Sequence, residues 1–261
     1  MFPQPKPILG VIHLPPLPGY RSSPGIDRVV QKALRDLETL EAGGADGVLV
    51  ENEEDRPHRV EAAAETVAAM TRVAREVVLA ARRVRVGVEI LLNDPCASLA
   101  AALAAGACFV RTDYFVDPME RPEHGGAMKI DPAGLMAYRE RIDAGHILVL
   151  ADIQVKYARM LVERSLAESA RMAREQRADA VIVTGRLTGD PPLREEIESA
   201  KRGAGDCPVL IGSGLDPENA GRLLEVADGA IVGTSLKLGE HVDAGRLSAL
   251  MAAVRVVSRP A

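Results

Sequence analysis

Eight short apolar runs alternate with longer helical segments along the chain, and this repeat constrains the fold more than any other feature. The runs are rich in Val, Ile and Leu with little apolar–polar alternation, which is typical of strands covered on both faces. Strands separated by helices require parallel pairing and right-handed crossovers. The predicted strands span residues 8–14, 47–52, 84–92, 109–114, 147–155, 180–185, 208–214 and 229–235.

Chain length favours closing these eight strands into one barrel. The chain has 261 residues, of which 47% are hydrophobic, and a single (β/α)8 barrel has about 250 residues. No GxGxxG motif follows the first strand, which disfavours an open dinucleotide-binding sheet. We therefore predict the α/β class, with one TIM-barrel domain over residues 1–261.

Three Asp-Pro pairs predict where helices begin. Asp94, Asp131 and Asp216 each precede a proline. An aspartate at the N-cap accepts a free backbone N–H, and proline suits the first helical position because its nitrogen needs no partner. These aspartates are therefore predicted to cap the third, fourth and seventh helices. The second helix is predicted over residues 57–83.

Charge and composition limit the class of partner. The net charge is −5 with no basic block, so nucleic acid is not expected as a partner. The three cysteines form no CxxC pair, which disfavours a disulfide framework or structural zinc and suits the cytoplasm. No run of about 18 apolar residues predicts a transmembrane segment, although peripheral membrane contact stays open. A homo-oligomer is expected only because most soluble oligomers are of this kind.

One long connection follows the fourth strand and covers residues 115–130. Loops on the C-terminal face of a barrel carry its function, and loops of this length are commonly lids. Gly125 and Gly126 would supply a hinge. The segment is predicted to be a mobile lid, with a disordered flap as the alternative.

Glycine and hydroxyl residues end the last two strands. In many barrels the loops at these positions bind phosphate through backbone N–H groups, because glycine lets an anion approach the chain closely. Two tight turns filled with small residues are the alternative. The predicted phosphate-binding residues are Gly212, Ser213, Gly214, Gly233, Thr234 and Ser235.

Ionisable residues occupy one parity near the C-terminal ends of five consecutive strands. Side chains of one parity face the barrel interior, and charges there need partners or a purpose because burial is costly. The predicted catalytic residues are Asp152, Lys156, Glu51, Glu89, Arg111 and Asp113. The predicted substrate-binding residues are His13, Asn52, Asn93, Gln154, Thr184 and Gly185.

Several roles stay open for these groups. Lys156 suits an anion clamp, a general acid or a Schiff-base nucleophile, and Asp152 suits a general base. Glu89 and Arg111 would alternatively form a structural ion pair, and His13 would be a structural histidine. A further alternative is a Mg²⁺ or similar ion, which prefers oxygen ligands. Its ligands would be Glu51, Glu89, Asp113 and Asp152.

Several motifs together resemble the BtpA/SgcQ family. They are IHLPPLPG after the first strand, VEN after the second, LLND after the third, ADIQVK in the fifth, TGRLTG after the sixth and GSGLDPENAGRLLEVADGAIVGTSLK near the end. The resemblance covers about residues 8–237. It implies a fold similar to the ribulose-phosphate-binding barrels and a phosphate site. The family takes its name from a cyanobacterial peripheral membrane protein needed for photosystem I biogenesis.

The chain departs from the usual family pattern at several positions. Glu89 and Asp113 stand where members commonly have asparagine, and Gln154 and Tyr157 stand where members commonly have histidine. These differences disfavour a histidine-dependent mechanism and favour a metal or a cationic substrate.

Two functions are consistent with these residues. The first is an enzyme acting on a small phosphorylated metabolite, such as a sugar phosphate or nucleotide, by isomerase, lyase or aldol-type chemistry. The second, suggested by the resemblance, is a non-catalytic photosystem assembly factor that associates peripherally with membranes. An assembly factor would need a large apolar surface away from the barrel mouth.

Overall fold

The chain forms a closed barrel of eight parallel strands surrounded by eight helices, as a computed structural model covering residues 4–257 shows. Each strand pairs with its neighbours in chain order, and the first pairs with the last. The predicted fold class is confirmed. The barrel strands are β1 Ile8–His13, β2 Gly47–Glu51, β3 Arg85–Glu89, β4 Phe109–Thr112, β5 Leu148–Ile153, β6 Ala180–Val183, β7 Val209–Ile211 and β8 Gly229–Val232.

A helix follows every barrel strand and covers its outer face with apolar side chains. The helices are α1 Ile26–Gly43, α2 Ala64–Ala80, α3 Pro95–Ala105, α4 Pro132–Arg141, α5 Leu166–Glu175, α6 Arg194–Ala204, α7 Ala220–Leu224 and α8 Ala244–Val257.

Helix α2 begins seven residues later than predicted, and the preceding residues 57–63 form a loop. Hydrogen bonds to the segment that follows β3 hold that loop in place. The Leu92 amide donates to the Arg59 carbonyl at 3.1 Å, and the Ala62 amide donates to Asp94 Oδ2 at 3.1 Å. These partners replace the intrahelical bonds that the periodicity predicts.

Two of the three predicted aspartate caps are confirmed. Asp94 accepts from the Ala97 amide at 2.9 Å and Asp131 from the Gly134 amide at 2.8 Å. Asp216 instead accepts from two amides of a turn that precedes α7, which starts at Ala220. The third prediction was therefore wrong, because α7 begins about one turn after Asp216 and is not capped by it.

The barrel interior is a packed apolar core that ends just below the mouth. Its fully or nearly fully buried members are Leu9, Val11, Leu49, Phe109, Leu150, Ala180, Ile182, Leu210 and Ile231. Phe109 fills the space left by a glycine on the neighbouring strand, because Gly87 pairs with Phe109 and a Cβ at Gly87 would overlap the phenyl ring. This core forms the floor on which the polar residues of the mouth lie.

The 115–130 connection carries secondary structure of its own. Its short strand Met119–Arg121 pairs on one side with Gly126–Ala127 and on the other with Arg159–Met160, which belongs to the loop after β5. The inner side of this sheet packs on Tyr114, Leu92 and other buried apolar residues. Mobility of the segment stays a prediction. Within residues 4–257, none of the helices combines the length and apolar character needed to cross a bilayer.

A Gly87→Ala substitution is expected to lower the free energy of unfolding by about 1–3 kcal/mol, because the added methyl overlaps Phe109. Urea denaturation of Gly87→Ala, Phe109→Leu and the double variant measures this coupling. The double variant should be more stable than the sum of the single losses predicts. Strict additivity would show that the two residues do not share one space.

Candidate active site at the barrel mouth

A cavity of about 650 Å³ opens at the C-terminal ends of the strands. Five of the predicted catalytic and substrate-binding residues line it, together with all six predicted phosphate-binding residues. The sequence therefore predicted the location of the cavity and a large part of its wall. These lining residues are His13, Glu51, Arg111, Asp113, Lys156, Gly212, Ser213, Gly214, Gly233, Thr234 and Ser235.

Arg111 and Asp152 form a bidentate ion pair at the floor of the mouth. Arg111 Nε donates to Asp152 Oδ2 at 2.8 Å, and a second guanidinium nitrogen donates to Oδ1 at 3.0 Å. Arg111 is 4% exposed and Asp152 1%. Burial by itself would lower the pKa of Arg111, but Asp152 and Glu89 raise it well above its ordinary value. Asp152 does not line the cavity, so the structure favours a structural role for it over a general base.

Glu89 lies beside this pair without hydrogen bonds of its own. Its nearer oxygen is 3.8 Å from Arg111 Nε, and neither carboxylate oxygen has a hydrogen-bond partner within residues 4–257. Burial raises the pKa of Glu89 well above its usual range, and Asp113, Glu51 and Asp152 add to the effect against Arg111. The predicted Glu89–Arg111 pair is thus the weaker one, because the guanidinium is oriented towards Asp152.

The four carboxylates proposed as metal ligands surround a guanidinium instead. Arg111 contacts Asp152 and lies near Glu89, and it also interacts electrostatically with Asp113. Across the part of the chain that the structure describes, no three His, Cys, Asp or Glu side chains are arranged to hold a metal ion. These residues do not fit a Mg²⁺ site, because the positive charge that the acids require is already supplied by Arg111.

Asp113 is the carboxylate best placed for proton transfer. It follows β4, has the same parity as Arg111, and lines the cavity. Burial raises the pKa of Asp113 to about 6, and Asp152 adds to this rise while Arg111 and Lys156 oppose it. A carboxyl group with this pKa exchanges protons near neutral pH. Lys156 lines the same cavity, and its backbone amide donates to Thr184 Oγ1 at 3.2 Å.

On the other side of the cavity, His13 lies between the carboxylate of Glu51 and the ammonium group of Lys237. Its Nε2 is 3.5 Å from Glu51 Oε2, and its Nδ1 is 3.2 Å from Lys237 Nζ. Burial would raise the pKa of Glu51, but the hydrogen bond of His13 and the neighbouring positive charges, Arg111 and Lys156 among them, lower it to about 2. Glu51 is therefore ionised at neutral pH and faces the imidazole as a carboxylate.

A buried lysine on α1 supports this wall from outside the barrel. Lys32 is 5% exposed, and its ammonium donates to the His13 carbonyl and to Asp36 Oδ2. Asp36 Oδ1 also accepts from the Val242 amide at 3.3 Å and lies 3.1 Å from His241 Nδ1. His241 and Val242 belong to the hairpin that begins at Lys237. Helix α1 thus holds both the end of β1 and the hairpin.

The loops after β7 and β8 present backbone to the cavity, while their serine hydroxyls are used elsewhere. Ser213 donates to the Asp190 carbonyl at 2.8 Å and accepts from the Gly185 amide at 2.8 Å. Ser235 donates to the Leu215 carbonyl at 2.6 Å. These hydroxyls shape the loops, so an anion here would depend on backbone N–H groups, on the exposed Thr234 and on nearby cations.

Five of the predicted substrate-binding residues lie outside the cavity lining. Asn52 is fully buried and ties its loop to Asp55 and to the Leu91 amide. Asn93 donates to the Lys129 carbonyl. Thr184 and Gly185 instead hydrogen-bond to residues that line the cavity: Thr184 Oγ1 accepts from the Lys156 amide, and the Gly185 amide donates to Ser213 Oγ.

The side chain of Gln154 also lies outside the cavity, because the alternation of strand residues ends before it. Strand β5 stops at Ile153, and Gln154 has a φ of 45°, which turns the chain. Its side-chain amide donates to the Arg164 carbonyl at 3.0 Å and to Ser169 Oγ at 3.1 Å. The parity prediction was therefore wrong for Gln154, although the turn returns Lys156 to the cavity.

Several lining residues carried little or no sequence signal. Lys237 follows Ser235 by two residues and lies beyond the end of β8. Other lining residues come from loops and from the start of α8, where strand parity does not apply. These include Glu53, Glu54, Arg56, His58, Arg121, Tyr157, Asp216 and Arg246.

An Asp152→Asn substitution is expected to cost about 3–5 kcal/mol of unfolding free energy, since it leaves the buried Arg111 without its carboxylate. Chemical denaturation at pH 7 provides the measurement. The double variant Arg111→Met/Asp152→Asn should recover part of the loss. An Asp152→Asn variant as stable as the parent would contradict the structural assignment.

Asp113→Asn is expected to raise the free energy of unfolding above neutral pH. A carboxyl group whose folded pKa is raised to about 6 favours the folded state below its unfolded pKa of about 4, and that contribution disappears as the pH rises through 6. The variant should therefore match the parent near pH 4 and exceed its stability by roughly 1–3 kcal/mol at pH 8. Denaturation curves at both pH values test this, and a constant difference between them would contradict it.

Solved structures with the same fold include enzymes of phosphorylated compounds. The thiamine phosphate pyrophosphorylase of Pyrococcus furiosus has a TM-score of 0.62 and 17% identity, covering 97% of this chain and 96% of its own. The (S)-3-O-geranylgeranylglyceryl phosphate synthase of Thermoplasma acidophilum, solved with sn-glycerol-1-phosphate, has a TM-score of 0.63 and 16% identity, covering 97% and 94%. At these identities the likeness shows the fold alone.

Sequence relatives cover nearly the whole chain. An uncharacterized protein of Archaeoglobus fulgidus is 40% identical over 96% of this chain and 99% of its own. The photosystem I biogenesis protein BtpA of Synechocystis is 36% identical over 95% of this chain and 88% of its own. A sequence model of the BtpA family matches residues 4–256. The chain therefore belongs to the BtpA family.

Proposed function

We propose that this protein is an enzyme that performs acid–base chemistry on a small phosphorylated metabolite at the barrel mouth. The observation that carries the proposal is one cavity that joins glycine-rich loops after β7 and β8 to titratable side chains of β1, β2 and the β4 and β5 loops. A protein that only bound a partner would have no need for a carboxyl group with a pKa near 6 in a polar cavity.

The loops after β7 and β8 would hold the phosphate. Backbone N–H groups of these loops would donate to the anion, while Lys237 and Arg246 supply positive charge in the same cavity. The fold neighbours support a phosphorylated substrate, since the names of several include a phosphorylated compound.

The groups on the other walls would move protons on the rest of the substrate. Asp113 exchanges a proton near neutral pH, and Lys156 beside it supplies either a positive charge or a proton. Arg111 would orient a polar substrate group from the floor. This set suits isomerisation, lyase or aldol-type steps, in which a proton is removed beside a carbonyl and delivered to a neighbouring atom.

A second candidate function is a non-catalytic assembly role, and one observation favours it. The Synechocystis relative is named for photosystem I biogenesis and is 36% identical over nearly the full length. The apolar surface that this role predicts would lie away from the mouth. Among the described residues the large exposed apolar side chains are instead partly at the rim, in Tyr157, Leu161, Val162 and Leu187, so we favour the enzyme.

Thermal unfolding in the presence of phosphorylated metabolites and inorganic phosphate, with and without Mg²⁺, tests the proposal. At a hundred times its dissociation constant, a ligand adds about 2.7 kcal/mol, which raises the Tm by roughly 5–10 °C for a chain of this size. Lys237→Ala should reduce the shift. Lys129→Ala should not, because Lys129 lies on a different cavity. If no phosphorylated compound raises the Tm, the proposal fails and the assembly role gains support.

A further inference from the structure

His13 occupies a position between the two halves of the mouth that the proposed function does not yet use. Its ring packs against the β8 loop so closely that a Cβ on Gly233 would lie 2.9 Å from His13 Cε1 and 3.0 Å from Nε2. The imidazole therefore adjoins the backbone proposed to hold phosphate. It is also on the wall of the cavity rather than beneath it.

The neighbours of the ring identify the nitrogen that carries the proton. An ammonium group can only donate, so the contact of 3.2 Å between Lys237 Nζ and His13 Nδ1 requires Nδ1 to accept. A neutral imidazole then has its proton on Nε2, which faces Glu51 Oε2 at 3.5 Å. In this state Nδ1 is the basic nitrogen, and Lys237 covers it.

Lys237 also lies beside the proposed phosphate site. It follows the β8 loop directly and lines the same cavity as Gly233, Thr234 and Arg246. A phosphate at that loop carries more negative charge than a neutral imidazole and accepts stronger charge-assisted hydrogen bonds. An ammonium group within reach of both acceptors will favour the phosphate.

We infer that His13 is a catalytic base which substrate binding uncovers: the bound phosphate takes the ammonium of Lys237, and the freed Nδ1 then accepts a proton from the substrate. This inference rests on the proposed function and adds to it the residue that begins the reaction. The class of substrate is a phosphorylated compound with an acidic C–H beside a carbonyl group.

The proton transfer balances within the site. The C–H bond of the substrate breaks, its electron pair stays on the substrate as an enolate, and the proton forms the new bond to Nδ1. The resulting imidazolium keeps its Nε2 proton directed at the Glu51 carboxylate, which stabilises the positive charge. In an isomerisation the same proton, or one from Asp113, returns to the neighbouring carbon.

The absence of histidine at positions 154 and 157 does not weaken this inference. Gln154 points towards α5, and the hydroxyl of Tyr157 accepts from the Thr188 amide at the rim. Neither position contacts His13. The expectation against a histidine-dependent mechanism rested on positions 154 and 157, and the present inference departs from it by assigning the base to His13.

Imidazole ¹⁵N spectra test the inference because they report which ring nitrogen is protonated and hydrogen-bonded. The chain has five histidines, and His13→Gln identifies the signals of His13. We expect the free protein to show the Nε2-protonated tautomer, and saturating inorganic phosphate to shift the Nδ1 signal. In Lys237→Met the Nδ1 signal should be displaced without phosphate and should respond little to it, while phosphate binds roughly tenfold more weakly.

Arg246→Met is the matched control. It removes a positive charge from the same end of the cavity, and no hydrogen bond from its side chain is present among residues 4–257. This variant should weaken phosphate binding but show the parental Nδ1 shift once phosphate is saturating. Calorimetry supplies the binding constants.

Two results would overturn the inference, and they differ in meaning. If phosphate binds by calorimetry but leaves the His13 signals of the parent protein unchanged, His13 is not uncovered and the proposed function survives. If phosphate and phosphorylated compounds do not bind at all, both fail. The parent protein alone decides this point, so the test stands even if Lys237→Met does not fold.

Discussion

The guanidinium of Arg111 holds together the floor of the mouth. Four carboxylates, on or directly after β2, β3, β4 and β5, lie close together above an apolar core. Like charges so near one another would not all remain ionised. Arg111 binds Asp152 through two hydrogen bonds and leaves Glu89 unbonded and Asp113 with a raised pKa. One cation thus binds one of these acids directly, while burial raises the pKa values of two others, Glu89 and Asp113.

This arrangement divides the polar residues into a supporting layer and a reacting layer. Asp152 lies beneath the cavity and fixes the position of Arg111, and the unbonded Glu89 lies beside them, whereas Asp113 and Lys156 line the cavity. At the ends of β1 and β2 the same division recurs: Glu51 is the ionised supporting group, and His13 is the reacting group. Each potential proton carrier therefore has a buried neighbour that is already charged and does not need to move during a reaction.

Strand periodicity was enough to predict the barrel and much of the mouth. The prediction held where a residue lies on a strand or directly after it with unbroken alternation, as for Glu51, Arg111 and Asp113. It failed at Gln154, where a left-handed residue ends the alternation. Asn52 has the opposite parity to Glu51, and its side chain ties its own loop. Residues from other loops, such as Arg121, could not be predicted, because their place depends on a sheet that two separate connections build together.

Lys32 shows that the chemistry of this barrel extends into its outer helices. Its ammonium sits in an apolar layer, fastens the last carbonyl of β1 and, through Asp36, fastens the hairpin that starts at Lys237. His13 and Lys237, whose side chains are in contact, are thus both held by α1, a helix that contributes no residue to the cavity lining. Sequence drift on the outside of the molecule can therefore retune the distance between two reacting groups. A survey of natural variation limited to cavity-lining positions would overlook this source of functional divergence.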